Sequence, residues 1–214
     1  MEGQKYKATG SQSEFQPGSR GRVLRNLAGI RSAREMARGE SEALLAITER
    51  LIDETSIDQR FAAEDLCRVH RLWLEGIYSW AGQYRQVNMS KDGFTFAAAN
   101  QIPRLMKEFE QGPLRSFTPC RMAGTDEQAH ALGVVHAELI LIHPFREGNG
   151  RCGRLLATLM ALQAGLPPLD FGGIRGAAKQ RYFAAIQAAI ARDYAPIAAV
   201  FRSVIATTLR ASSR

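Results

Sequence analysis

Cysteine is scarce in this chain of 214 residues, and the three present (Cys67, Cys120 and Cys152) are odd in number and far apart. That pattern excludes a disulfide framework and offers no metal-ligand spacing, so buried thiols are expected. Long apolar runs are missing too. Nothing approaches the roughly eighteen residues of a membrane span, and residues 1–7 lack the apolar stretch of a secretory leader. The expectation is a protein made in the cytoplasm with no membrane association. No internal repeat occurs, and strand-like alternation is confined to one short segment. Acidic residues are in deficit, 21 against 28 lysines and arginines, for a formal net charge of +7. Such a surplus suits nucleic acid, an acidic partner or the steering of a nucleotide, and does not by itself choose among them.

What is present is ordinary for a folded domain: 45% hydrophobic and 23% charged residues, enough to bury a core. Residues 1–20, rich in Gly, Ser, Gln and Lys, predict a weakly ordered arm, and residues 21–210 a single, mainly α domain. Ser32 and Glu35 form a capping box at the head of a helix over 32–54, with Leu44, Ile47 and Leu51 at helical spacing. Leu66, Val69, Trp73, Ile77 and Trp80 repeat that spacing over 62–79. His70 falls on this apolar face and reads as a packed core histidine. A helix over 101–111 stops at Gly112-Pro113, and Thr125 with Gln128 caps another that carries Leu132, Val135, Leu139 and Ile142 and ends at His143. Helices over 151–164, 175–191 and 196–210 follow. His130 and His136 lack the four-residue pairing of a zinc helix, so structural roles are expected for both.

Residues 85–96 alternate around Lys91-Asp92-Gly93, whose Asp-Gly pair signals a hairpin turn. A two-stranded hairpin is marginal without packing. It is either a surface ornament held by Phe94 and Phe96 or an edge on which a peptide docks.

The densest chemistry lies between His143 and Arg154: His-Pro-Phe-Arg-Glu-Gly-Asn-Gly-Arg-Cys-Gly-Arg. Pro144 biases His143 away from helical geometry, leaving its imidazole at a helix mouth. Gly148 and Gly150 permit a turn that aims successive amides at one point, and a helix begins after them, which makes an anion cradle. Arg151 and Arg154 fall on one face of that helix's first turn, where positive charge opposes the helix dipole unless an anion is bound. The arrangement suits a polyphosphate. Phe145 reads as a core anchor, and Arg146 and Cys152 as surface or packing residues.

This segment resembles the Fic signature, His-x-Phe-x-(Asp/Glu)-Gly-Asn-Gly-Arg-x-x-Arg, with every defined position filled. The likeness extends to Tyr78-x-Trp80-Ala81-Gly82-x-Tyr84-Arg85 and to Lys91-Asp92-Gly93-Phe94-Thr95-Phe96, and more weakly to Val23-Leu24-Arg25-Asn26, so that it spans about residues 20–205. It implies a helical Fic bundle with a β-hairpin flap, acting as a protein adenylyltransferase that moves AMP from ATP to a Tyr, Thr or Ser hydroxyl. His143 would be the base, Glu147 the Mg2+ ligand, and Gly148, Asn149 and Gly150 donors to the phosphates. Arg151 would face the β-phosphate and Arg154 the γ-phosphate. Lys91, Asp92, Gly93, Phe94, Thr95 and Phe96 would form the flap that docks the target.

Many Fic proteins are restrained by a helix bearing Ser/Thr-x-x-x-Glu-Gly/Asn. The Glu-Gly pairs here (2–3, 75–76 and 147–148) have no Ser or Thr four residues earlier, and Glu-Asn does not occur. The resemblance therefore implies a small antitoxin supplying an inhibitory glutamate in trans, with this chain the toxin of the pair and an essential protein such as a type II topoisomerase as target. A constitutively active effector is the competing expectation. Other readings are phosphoryl or other nucleotidyl transfer at the same site, or a non-enzymatic basic helical domain. Direct nucleic-acid binding is not expected.

Overall fold

The computed structural model describes residues 7–9, 11–91 and 93–213. In chain order the elements are β1 (Lys7–Thr9), α1 (Ala33–Glu54), α2 (Ala63–Leu74), β2 (Asn88–Lys91), β3 (Phe94–Thr95), α3 (Ile102–Phe109), α4 (Arg115–Phe117), α5 (Thr125–Ile142), α6 (Asn149–Gln163), α7 (Ala177–Ala188) and α8 (Ala195–Ser212). The mainly α expectation holds. Two compact units account for these elements. One draws on Met1–Glu54, Ala63–Met106 and His143–Gly148, and the other on Thr55–Ala62, Lys107–Ile142 and Asn149–Arg214.

In the first unit α1 packs on α2. Ser32 Oγ accepts the Glu35 N–H at 3.4 Å, the capping contact expected at the head of α1. Glu40 of α1 is buried and doubly engaged: its carbonyl accepts the Trp73 indole N–H at 2.7 Å, and its Oε1 accepts the Tyr78 hydroxyl at 2.7 Å. The sequence spacing predicts helix as far as residue 79, yet α2 ends at Leu74. The chain turns at once, with the N–H groups of Ile77 and Tyr78 both donating to the Leu74 carbonyl. Apolar spacing alone could not separate one helix from a helix followed by a packed turn.

The hairpin is present, with Ser90 opposite Thr95 and Lys91 opposite Phe94. It is not two-stranded. β1 pairs antiparallel with β2, setting Lys7 against Ser90, Ala8 against Met89 and Thr9 against Asn88, so the sheet order is β1-β2-β3. A third strand satisfies backbone groups that a lone hairpin leaves to water. Further along the expected arm, the Gln16 N–H donates to the Val23 carbonyl and the Arg25 N–H to the Glu14 carbonyl, closing a tight loop around buried Ser19. Residues 1–6 and 10 of that arm, and Asp92 of the flap, lie outside the described residues.

In the second unit α5 is apolar around most of its circumference and packs on α6 and α8. Gly133 is where α8 comes nearest: a Cβ there would stand 3.2 Å from the Ala198 nitrogen. The helical path beginning at α3 does not stop at Gly112-Pro113. It passes through a wide π-type turn over Glu110–Leu114 that accommodates Pro113, and continues to Phe117. α5 begins at Thr125, with the Gly124 carbonyl accepting the Gln128 N–H, so Gly124 takes the capping position predicted for Thr125. Among the described residues no helix is long and apolar enough to cross a membrane.

Candidate functional site

The motif runs from His143 to Arg154, and its two halves belong to different units joined by the peptide bond between Gly148 and Asn149. In the first half, His143 is buried and its backbone is left-handed, with φ +55°. A non-glycine residue held there is strained by about 1–2 kcal/mol and persists only where its surroundings fix it. Arg85 does so. Its N–H donates to the Pro144 carbonyl at 2.8 Å and its Nε to the His143 carbonyl at 2.7 Å. The rest of the guanidinium reaches the hairpin: Nη1 donates to the Val87 carbonyl and Nη2 to the Ala97 carbonyl, both at 2.6 Å. Arg85 is completely buried, and burial, with the Arg146 charge adding to it, pulls its pKa down to about 10.

The flap meets the histidine through Phe96, whose ring stacks on the imidazole with centroids 3.8 Å apart. Phe94 in turn packs edge-on against Phe96 at 5.2 Å. Gly93 turns the hairpin at φ +81°, while Thr95 is exposed and Lys91 half-buried. These residues thus form one continuous hairpin, of which only Phe96 is recorded in ring contact with His143.

Phe145 is fully buried, as its reading as an anchor requires, and stacks on His70 at 4.0 Å. His70 does more than fill space. Its Nδ1 accepts the Gly82 N–H at 2.8 Å, which leaves the proton on Nε2 to donate to the Glu147 carbonyl at 3.1 Å. The core-histidine reading is correct, but sequence gave no sign that this histidine ties the motif loop to the turn after α2. Arg146, taken as a surface or packing residue, is buried, and its Nε donates to the Gln12 carbonyl at 2.9 Å. Glu147 is half-buried, and its Oε1 accepts the Gly148 N–H at 3.0 Å. Gly148 has φ +86°, and a Cβ on it would fall 2.6 Å from the Trp73 ring, so both conformation and space require glycine.

In the second half, Asn149 and Gly150 open α6, two residues earlier than the sequence predicts. Their amides and that of Arg151 therefore belong to the first turn, whose N–H groups have no carbonyl of their own helix to bond. Asn149 is buried, and Arg151 and Arg154 are half-exposed. A Cβ on Gly150 would lie 3.6 Å from Nη1 of Arg154. Cys152 is buried, as expected. Gly153 lets His136 approach closely, a Cβ there lying 3.1 Å from the imidazole. His136 Nε2 and the Tyr182 hydroxyl share a hydrogen bond of 2.7 Å. Burial drives the His136 pKa down to about 4 and the Tyr182 pKa up to about 12, with the Arg154 charge lowering both. His136 is thus structural, and His130 is an exposed residue in edge contact with Phe117 and Tyr194. Among the described residues no cluster of three or more His, Cys, Asp or Glu side chains could hold a metal ion.

The class this defines is a mainly α domain in which a histidine-led turn feeds a helix through Gly-Asn-Gly, with a small sheet beside the histidine. The chain belongs to the Fic/DOC family, whose pattern matches residues 60–161. It is 33% identical over 143 residues to the protein adenylyltransferase VbhT of Bartonella schoenbuchensis, a stretch that makes up 67% of this chain and 30% of VbhT. It is 30% identical over 188 residues to the "probable protein adenylyltransferase y4lH" of Sinorhizobium fredii, covering 86% of this chain and 91% of that one. Among solved structures, the BepC effector of Bartonella tribocorum with bound AMPPNP superposes with a TM-score of 0.72 at 23% identity, over 90% of this chain and 96% of BepC. That likeness establishes the fold. The chain spans less than a third of VbhT, but most of y4lH.

Proposed function

We propose that this chain is a protein adenylyltransferase that transfers AMP from ATP to a hydroxyl-bearing side chain of a target protein. The observation that carries the reading is the completely filled motif, with its histidine buried in a left-handed backbone and its Asn-Gly pair opening α6. The names of VbhT and y4lH support it.

In this reading the target presents a Tyr, Thr or Ser hydroxyl to His143. The imidazole takes the proton as the oxygen attacks the α-phosphorus of ATP, and the bond from the α-phosphorus to the bridging oxygen breaks to release pyrophosphate. Asn149 and Gly150 donate to the phosphates, and Arg151 and Arg154 neutralise the β- and γ-phosphates through paired N–H groups. Most of the rate comes from positioning and charge neutralisation. The hairpin residues Lys91, Gly93, Phe94, Thr95 and Phe96 dock the target's main chain beside the histidine.

Magnesium fits the donor set. The motif offers one carboxylate, the half-buried Glu147, and Mg2+ keeps several waters and takes phosphate oxygens in preference to an all-protein cage. Glu147 would hold it, and the ion would offset the negative charge building on pyrophosphate.

Control by a separate protein is part of the proposal. A small partner supplying a glutamate to Arg154 would restrain the site, making this chain the toxin of a pair. The half-exposed position of Arg154 in the first turn of α6 supports this, as does the absence of the inhibitory motif from the given sequence.

The test is label transfer to lysate proteins from α-labelled and, separately, γ-labelled ATP, with wild type and His143→Ala. Label from the α position alone, lost in the variant, is the expected result. Label from the γ position, or α-label that survives His143→Ala, would overturn the assignment.

A further inference from the structure

In the first unit Arg85 grips both the histidine's backbone and the two feet of the hairpin. Its backbone N–H and its guanidinium together serve both. Two hydrogen bonds go to the carbonyls of His143 and Pro144, fixing the strained turn that aims the imidazole. Two go to Val87, the residue before β2, and Ala97, two residues after β3. The hairpin itself is closed above this point by the Phe96 N–H donating to the Met89 carbonyl at 3.1 Å. A planar guanidinium offers donors in fixed directions, so one group sets the distance and angle between the carbonyls of His143, Val87 and Ala97, while the backbone N–H of Arg85 holds that of Pro144. Lysine could satisfy only part of the set from a single rotatable ammonium. Arg85 is completely buried, and burial of a charged group is costly unless it is hydrogen-bonded. A hydrophobic residue of similar length would fill the space, and what an arginine adds is the hydrogen-bond geometry.

We infer that Arg85 is a positioning residue that registers the flap against His143, so that a target hydroxyl delivered by the hairpin arrives where the imidazole can deprotonate it. The inference rests on the adenylyltransferase reading for its consequence in activity, but its structural half stands apart from that reading.

The experiment compares the full chain with Arg85→Lys, Arg85→Met and a control, Leu51→Ala, which removes a buried side chain of α1 in the same unit. Backbone hydrogen exchange is read by mass spectrometry, and α-labelled ATP transfer to lysate proteins is measured in parallel. Both Arg85 variants are expected to lose protection selectively in residues 87–97 and 143–148 while α5, α6 and α8 keep theirs. Transfer should fall about 100-fold, the effect of misplacing reacting groups by about 1 Å. Binding of a fluorescent non-hydrolysable ATP analogue should stay within about twofold, because the cradle of Asn149–Arg154 is not held by Arg85. Leu51→Ala should lower the melting temperature without the selective loosening. Should Arg85→Met fail to fold, Arg85→Lys keeps the charge and still removes part of the network. Exchange that rises uniformly in the Arg85 variants, or protection unchanged at both segments, overturns the inference. Wild type that transfers no label defeats the enzymatic reading, and the exchange pattern alone then decides the role of Arg85.

Discussion

The ring of Phe96 lies on the imidazole of His143 with centroids 3.8 Å apart and planes 20° from parallel. The contact couples the last residue of the hairpin to the proposed base. The stack sets the plane of the imidazole and itself uses neither ring nitrogen.

Phe96→Ala removes that support. A stacked pair is worth about 0.5–1.5 kcal/mol. If all of it serves to orient the base, transfer falls about two- to thirteenfold with little change in melting temperature. Phe96→Tyr keeps the stack and should retain near-normal transfer. Steady-state label transfer by the two variants checks this, and equal loss in both would mean that stacking is not the operative contact.

Gly148→Ala confronts two obstacles, a φ of +86° and a Trp73 ring carbon 2.6 Å from the new methyl. The conformational term alone is about 1–2 kcal/mol. Trp73→Leu relieves the overlap but also deletes the indole hydrogen bond to the Glu40 carbonyl, so the backbone term is the cost of Gly148→Ala in the Trp73→Leu background, expected at about 1–2 kcal/mol. Thermal unfolding of the four proteins measures the partition, and no cost in that background would show that the backbone term is negligible.

His70→Phe preserves the stacking on Phe145 and deletes both hydrogen bonds. The Gly82 N–H and the Glu147 carbonyl are then left without their partner, at about 1–3 kcal/mol for each buried group. Stability from denaturant titration should drop by about 2–6 kcal/mol, and residues 143–148 should lose exchange protection. A loss below about 1 kcal/mol would mean that water replaces the imidazole.

His136 predicts acid sensitivity. Its pKa is about 4 when folded against an ordinary 6.5, so between these values the unfolded chain binds a proton that the folded one does not. Stability from this group is complete above pH 6.5 and lost as pH falls toward 4, by about 3 kcal/mol in all. His136→Gln should flatten the slope of stability against pH in that window. An unchanged slope would assign the acid response to other groups.

Much of this molecule was legible from sequence because the decisive signals are local. The capping contact of Ser32, the hairpin turn at Gly93, the end of α5 before His143 and the motif itself depend on residues close together in the chain. What stayed hidden is long-range. Arg85 is 58 residues from His143 and His70 is 77 from Glu147, and no periodicity encodes such partnerships. Arg146 looked like a variable position because its partner, Gln12, is 134 residues away. The end of α2 was misplaced because Ile77 and Trp80 continue an apolar spacing that serves a packed turn equally well.

The strand at Lys7–Thr9 has a practical corollary for anyone preparing this protein. Because it lines the open side of β2, whatever is fused ahead of it is carried to the edge of the proposed docking hairpin. With β1 on that side, a target that pairs its main chain with the sheet is left the edge of β3, and the effect of a tag on the proposed docking is measured by comparing tagged and untagged chains.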